Sequence, residues 1–175
     1  MKIIFLGGQG SGKSTQAKLL AEKLNLPRVE MGQVLRDKAQ ENDQTSQFIK
    51  KALDSGSLVP DTIAIETLKG ILRGKEYENG YVLDGYPRNA AQMEGLENDI
   101  DNVFYIKVSD EEAISRLTLR AREDDTNEAL TRRLEIYHQE TEPLLSKFKN
   151  VGILDEVDGE RSIEEIHEDI LKRTK

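Results

Sequence analysis

Gly7, Gly12, Lys13 and Ser14 stand in the spacing G-x-x-x-x-G-K-S within "FLGGQGSGKST". That spacing belongs to loops that cradle phosphate. Glycines keep side chains out of the way while backbone N–H groups turn inward around an anion. A helix opening after Gly12 aims its positive end at the same anion. Lys13 adds a mobile cation for the outer phosphates, and Ser14 a hydroxyl for magnesium. A chance match is rare, about one in a hundred chains of this length from average residue usage. Asp84 offers a second magnesium oxygen, because it ends the apolar run "GYVLD", where an open parallel sheet places its ligands. The plainer assignment for Asp84 is a turn aspartate opening "DGYP".

Where the phosphate goes is decided by other residues. A hydroxyl acceptor calls for a nearby base, whereas a phosphate monoester is already ionised at neutral pH, its second pKa being about 6. Bringing two phosphate chains together then needs cations, and the planar fork of arginine suits phosphate best. Arg36, Arg88 and a dense set, Arg116, Arg120, Arg122, Arg132 and Arg133, supply them. Each has a bland counterpart. Arg36 could be a solvated helix arginine, and the later set could pair with Glu111, Glu112, Glu123 and Glu128 along helix faces. His138 and His167 fall in no motif and are assigned no chemistry.

The elements that must position these residues follow from hydrophobic period. Lys2 to Leu6 read as a buried strand, and Ala17, Leu20, Ala21 and Leu24 as one face of the helix after it. "LPRVE" is a short extended piece. Gly32 to Gly56 is helical but broken around "ENDQTS", with Phe48, Ile49, Ala52 and Leu53 as its apolar face. Asp61 is placed to cap a helix carrying Ala64, Leu68, Ile71 and Leu72. "NVFYIKV" is a strand, followed by Ser109 and Glu112 in capping-box spacing. A long helix from Leu130 bends at Pro143, "VGIL" is a last strand, and "SIEE" opens a final helix. Strands alternating with helices predict a parallel sheet wrapped on both faces.

The chain has 175 residues, a net charge of −8 and no cysteine. One domain with small inserted lobes fits that length. The acidic balance argues against a nucleic-acid partner, and the missing cysteine excludes disulfides and cysteine-ligated zinc. No apolar run approaches the roughly 18 residues of a membrane span, so the expected protein is cytoplasmic.

Seven segments, "GGQGSGKSTQ", "MGQVLR", "LVPD", "VLDGYPRNAAQ", "RAREDD", "RRLEIYHQETEPL" and "VDG", fall in the order and spacing of adenylate kinases and related nucleoside monophosphate kinases. The chain resembles that family over nearly its whole length. The resemblance implies a P-loop NTPase fold of class α/β: a five-stranded parallel sheet flanked by helices on both faces, with a helical NMP-binding insertion and a short lid. It divides the chain into a core (1–29, 60–116 and 134–175), the insertion (30–59) and the lid (117–133).

The implied reaction is reversible, Mg2+-dependent phosphoryl transfer from ATP to AMP giving two ADP, by a monomer with no structural zinc. Gly10, Ser11, Gly12, Lys13, Ser14 and Thr15 would hold the ATP phosphates, with Ser14 and Asp84 at magnesium. Arg36 and Arg88 would grip the monophosphate, Gln92 would hydrogen-bond its base, and Leu58, Val59 and Gly85 would border it. Arg120, Arg122 and Arg133 would gather around the transferring phosphoryl, Arg122 and Arg133 also touching the acceptor. Lys13, Asp84, Arg88 and those three arginines make up the implied catalytic set. Arg116 or Arg120 would cover the ATP adenine, whose ring would touch the backbone at Arg161, and Asp124 and Asp125 would orient the lid arginines.

Three departures stand out. Gln9 occupies a common proline position, and Ser14 a common glycine position. Met31 and Gln33 occupy a stretch where the family usually shows serine or threonine and then Gly-Asp. Met31 cannot hydrogen-bond a base edge as threonine does, so adenine preference would rest mainly on Gln92. The alternatives are a UMP/CMP-type kinase, for which Asn89 is a mild hint, a kinase for a hydroxyl acceptor, and a non-catalytic nucleotide-binding regulatory module.

Overall fold

The computed structural model describes residues 1–120 and 126–174. Those residues form one five-stranded parallel sheet in the order β2-β3-β1-β4-β5. The strands are β1 (Lys2–Leu6), β2 (Arg28–Glu30), β3 (Tyr81–Asp84), β4 (Asn102–Lys107) and β5 (Leu154–Asp158). The helices are α1 (Lys13–Leu24), α2 (Met31–Lys38), α3 (Gln44–Asp54), α4 (Asp61–Leu72), α5 (Ala90–Glu94), α6 (Asp110–Arg120), α7 (Asn127–Ile136), α8 (Leu145–Asn150) and α9 (Ile163–Arg173).

The two-residue strand period splits the core. Ile3, Phe5, Val82, Phe104 and Ile106 face Ala17, Leu20 and Ala21 of α1 and Ile166 and Ile170 of α9. Ile4, Leu83, Val103 and Tyr105 face the other way, onto Leu68 of α4 and Leu144 and Phe148. Strands buried on both faces carry few charges in their interiors, so the ionisable residues fall at their ends. Phe5 pairs with Asp84 and Phe104, and Glu30 with Asp84. The carboxyl ends of three strands therefore lie beside the glycine loop that follows β1. Ile49, Ala52 and Val59 form a small separate core with Leu35, Leu53 and Ile63, which makes α2 and α3 a lobe on that same edge.

Several local expectations hold. Asp43 and Ser46 build a capping box that restarts the helix after "END", and Ser162 with Glu165 builds another at α9. Others are corrected. Phe48 is 53% exposed and leaves the apolar face of α3 to Ile49 and Ala52. Asp61 is the first residue of α4, not its cap, because its carboxylate is taken by Asn89 and Gln92. Ser109 receives the N–H of Glu112 at 3.4 Å, but its own N–H goes to Glu160, which leaves half a capping box. The last strand runs over Leu154–Asp158, since Val151 caps α8 and Gly152 adopts φ 77°. The bend near Pro143 starts earlier, in a π-helical turn at Tyr137–Thr141.

That turn puts His138 between two acids. Its Nδ1 lies 2.8 Å from Glu142, and its Nε2 lies 3.1 Å from both oxygens of Asp110 at the start of α6. The Glu142 contact, with Asp110 adding to it, raises the imidazole pKa above its ordinary 6.5. The folded state thus gains stability below pH 6.5 that is lost as pH rises through the raised value. The ring is largely solvated, so the effect is small. His138→Gln is expected to lower the Tm by about 1–3 °C at pH 6 and by less at pH 9; equal losses in melting curves at both pH values would contradict this.

Candidate active site

The loop between β1 and α1 takes its shape from glycine. Gly12 sits at φ 86° and caps α1 without a side chain, so the first N–H groups of α1 face the loop. Gly10 sits at φ 80°, where a Cβ would come 2.5 Å from the Ala113 carbonyl oxygen of α6. Inside the loop Ser11 is buried and its Oγ receives the Lys13 N–H at 3.4 Å. The Lys13 ammonium folds back over the loop and donates to the Gly8 carbonyl at 3.3 Å. Thr15 is exposed on the next residue but one of α1.

Arg116 braces this loop from above. Its guanidinium donates to the Gly159 carbonyl at 2.9 Å and to the Ser11 carbonyl at 3.5 Å, held by Glu112 at 2.6 Å. The arginine set is therefore not a run of helix-face pairs alone, because Arg116 reaches the phosphate loop as well as Glu112.

Across the loop lies a cleft lined by Lys13, Ser14, Met31, Arg36, Leu58, Val59, Asp84, Gly85, Arg88, Gln92 and Arg133. Gly85 marks where its two halves meet. It sits at φ 76°, and a Cβ there would lie 3.5 Å from Arg88 Nη2 and 4.0 Å from Lys13 Cε. Gly32 plays the same part on α2, its Cβ position lying 3.4 Å from Arg36 Nη1 and 3.8 Å from Arg88 Nη2. Arg88 is fixed by donating from Nε to the Gly85 carbonyl at 3.0 Å, just after the cis Tyr86–Pro87 peptide. Arg133 of α7 donates to the Leu53 carbonyl of α3 at 3.1 Å and lines the cleft beside it.

The electrostatics of this cleft ask for an anion. Burial lowers the Arg88 pKa first, and Arg133 and Arg36 lower it further, with Asp84 opposing. Arginine stays protonated under such pressure. Three guanidiniums are thus crowded together, and among the described residues no carboxylate comes within ion-pair distance of Arg88. Asp84 is 1% exposed, and neither of its oxygens accepts a hydrogen bond. A buried carboxylate without donors suits a hydrated magnesium ion, which keeps several of its waters. Among the described residues no group of three or more acidic or histidine side chains could hold a metal by itself. The ion would therefore lean on nucleotide oxygens and water.

Gln92 is 3% exposed and partly committed. Its Oε1 accepts the Arg88 N–H at 2.9 Å and its Nε2 donates to Asp61 at 2.9 Å. One lone pair and one N–H remain for a ligand. Met31 is 2% exposed, packs with the core and also borders the cleft. Gln33 turns away from the cleft to hold Arg36 and Asp37. The Arg161 guanidinium is not brought to the site: it pairs with Asp169 of α9 at 2.7 Å, which raises its pKa. Arg120 ends α6, while Arg122, Asp124 and Asp125 lie outside the described residues.

The sequence offers Asp61 only as a cap, whereas it fixes both Asn89 and Gln92, and it singles out neither Arg28 nor Glu30 beside Asp84. The signal for Asp61 was present in "LVPD", but its partners lie some thirty residues away in "RNAAQ". For Glu30 the signal exists only in the strand register.

A phosphate loop facing an arginine-lined cleft, on a parallel sheet with helices on both faces, is the architecture of a P-loop kinase. A family model described as Adenylate kinase matches residues 5–153. The chain is 37% identical over 182 residues to an adenylate kinase of Leptospira biflexa, with 98% of each chain covered. It is 33% identical over 210 residues to one of Caldicellulosiruptor saccharolyticus, again with 98% of each covered. To one of Methanothrix thermoacetophila it is 34% identical over 209 residues, covering 98% of this chain and 97% of the relative. The chain belongs to the adenylate kinase family. Alignments of 210 and 209 positions exceed its 175 residues, so those two relatives carry segments that it lacks.

Proposed function

We propose that the chain catalyses reversible phosphoryl transfer from ATP to AMP, giving two ADP. The observation that carries this reading is the convergence of Lys13 and Arg88 at Gly85, which faces the donor loop with a clamp suited to a second phosphate. In this reading residues 30–59 form the AMP-binding insertion, 117–133 a short lid, and the remainder the core. The ATP phosphates lie along Gly10 to Thr15. Arg36 and Arg88 hold the AMP phosphate, so its oxygen attacks the γ-phosphorus in line and the bond to the β-phosphate oxygen breaks. Lys13, Arg133, Arg120 and Arg122 stabilise the charge spread over the transferring group. Ser14 and Asp84 hold Mg2+, directly or through water, and the ion neutralises charge on the phosphates when bound. Arg116 covers the adenine of ATP, with the backbone at Arg161 along its edge, and closure of the lid excludes water.

For the acceptor base, the remaining N–H and lone pair of Gln92 match N1 and the 6-amino group of adenine, with Met31, Leu58 and Val59 against the ring. Asn89 no longer favours a pyrimidine. Its oxygen caps α5 by accepting the Gln92 N–H, and its amide nitrogen donates to Asp61. A coupled assay of ADP formation, run with AMP, CMP, UMP and GMP and without any monophosphate, tests the proposal. AMP should give the highest kcat/KM, by about tenfold or more, since a hydrogen-bonded base edge discriminates by roughly 1–3 kcal/mol. A clear advantage for another base would overturn the assignment of AMP, and no product with any monophosphate would overturn the kinase.

A further inference from the structure

We infer that Glu30 is a positioning residue that holds the acceptor arginine Arg36 and keeps Arg28 from pairing closely with the magnesium carboxylate Asp84; the inference rests on the proposed phosphotransfer site. In β2 the side chains alternate, so Val29 enters the core and Arg28 and Glu30 share the opposite face. That face carries α1. Glu30 stands in register with Asp84 on β3, which sets two carboxylates side by side on neighbouring strands, an arrangement that repels unless a cation intervenes.

Arg28 intervenes unequally. Its Nη2 lies 2.9 Å from Glu30 Oε2, while its Nη1 lies 3.6 Å from Asp84 Oδ2 and donates to the Ser14 carbonyl at 3.4 Å. The other oxygen of Glu30 lies 3.5 Å from Arg36 Nη2, and Arg36 is steadied further by Gln33 at 3.0 and 3.2 Å. The side chains of Arg28 and Glu30 are 25% and 20% exposed, that of Asp84 only 1%. Glu30 thus uses one oxygen to draw Arg28 off Asp84 and the other to hold Arg36. With Arg28 drawn off, both buried oxygens of Asp84 remain without donors and open to the ion's water shell. A neutral residue at position 30 would release Arg28 to pair with Asp84 and would loosen Arg36.

The plain alternative is a partly exposed ion pair of small worth. Calorimetric titrations on the full chain separate the two, using AMP without metal and ATP with either EDTA or excess Mg2+. Glu30→Gln is expected to weaken AMP binding by at least about fivefold and to shrink the advantage of Mg·ATP over ATP by a similar factor, the size of one unit charge acting at several ångströms near a surface. Arg28→Gln is expected to leave AMP binding within about twofold and the magnesium advantage intact or larger. The double variant Glu30→Gln/Arg28→Gln should recover the magnesium advantage but not the AMP affinity, because the competitor for Asp84 is gone while Arg36 stays loose. Unchanged values in Glu30→Gln, or a double variant without recovery, overturn the inference. Failure of the unsubstituted protein to bind AMP would overturn the proposed function instead, and the ATP titrations would still report on the Arg28–Asp84 arm.

Discussion

Arg88→Ala is expected to lower kcat by about two to four orders of magnitude and to raise the KM for AMP at least about tenfold. The guanidinium is aimed by its bond to the Gly85 carbonyl and stands between Gly32 on one lobe and Gly85 beside Lys13 on the other. An AMP phosphate released from it would lose the line of attack as well as affinity, which is why turnover suffers along with binding. Folding should not suffer in proportion. Burial and the neighbouring Arg36 and Arg133 work against the charge, with Asp84 opposing, so its removal relieves repulsion while costing one hydrogen bond and the attraction of Asp84. The Tm of Arg88→Ala should therefore stay within about 2 °C of the parent or exceed it, the pattern of a residue kept for a ligand at the expense of stability. Steady-state kinetics together with thermal unfolding test this; a normal kcat would remove Arg88 from the clamp.

Lys13→Met is expected to lower kcat by about a thousandfold or more, which corresponds to roughly 4 kcal/mol of lost transition-state stabilisation. Methionine keeps the length and packing of the lysine stem but neither the charge nor the three donors. The ammonium now rests on the Gly8 carbonyl, within the loop that would hold the phosphates, and its stem passes close to Gly85. From there it can follow the phosphoryl group between the two nucleotides, so its contribution is greatest when charge is spread between them. ATP binding should weaken much less than turnover, because backbone N–H groups and the α1 terminus still face the phosphates. A single-turnover measurement showing parallel losses in binding and chemistry would contradict that division.

These two residues also show how far reading from sequence reaches. Lys13 was legible because its partners are contiguous. The glycines, the lysine and the helix start lie within one short segment, and their geometry follows from local backbone preference. All but the last strand, and the split core, were legible for the same reason, since period and burial are local patterns. Arg88 was legible only as a member of "DGYPR", and nothing in that segment indicates that Arg36 and Arg133 crowd it. Errors fell where a side chain had several suitors. Asp61 was expected to cap a helix and instead serves Asn89 and Gln92. Ser109 yields its N–H to Glu160 rather than Glu112.

By itself the sequence determined the phosphate loop, the α/β class and a family resemblance that the comparisons bear out. Only the tertiary structure decided which charges meet. Strand order brings β2 beside β3, so Glu30 faces Asp84 with Arg28 between them. The lobe formed by α2 and α3 brings Arg36 over Gly32 to Arg88, and Gln92 is left with half of its hydrogen-bonding capacity. The physical reason is that a loop motif is satisfied by its own neighbours, whereas a pairing among distant ionic groups is the outcome of a competition that exists only after the elements have packed.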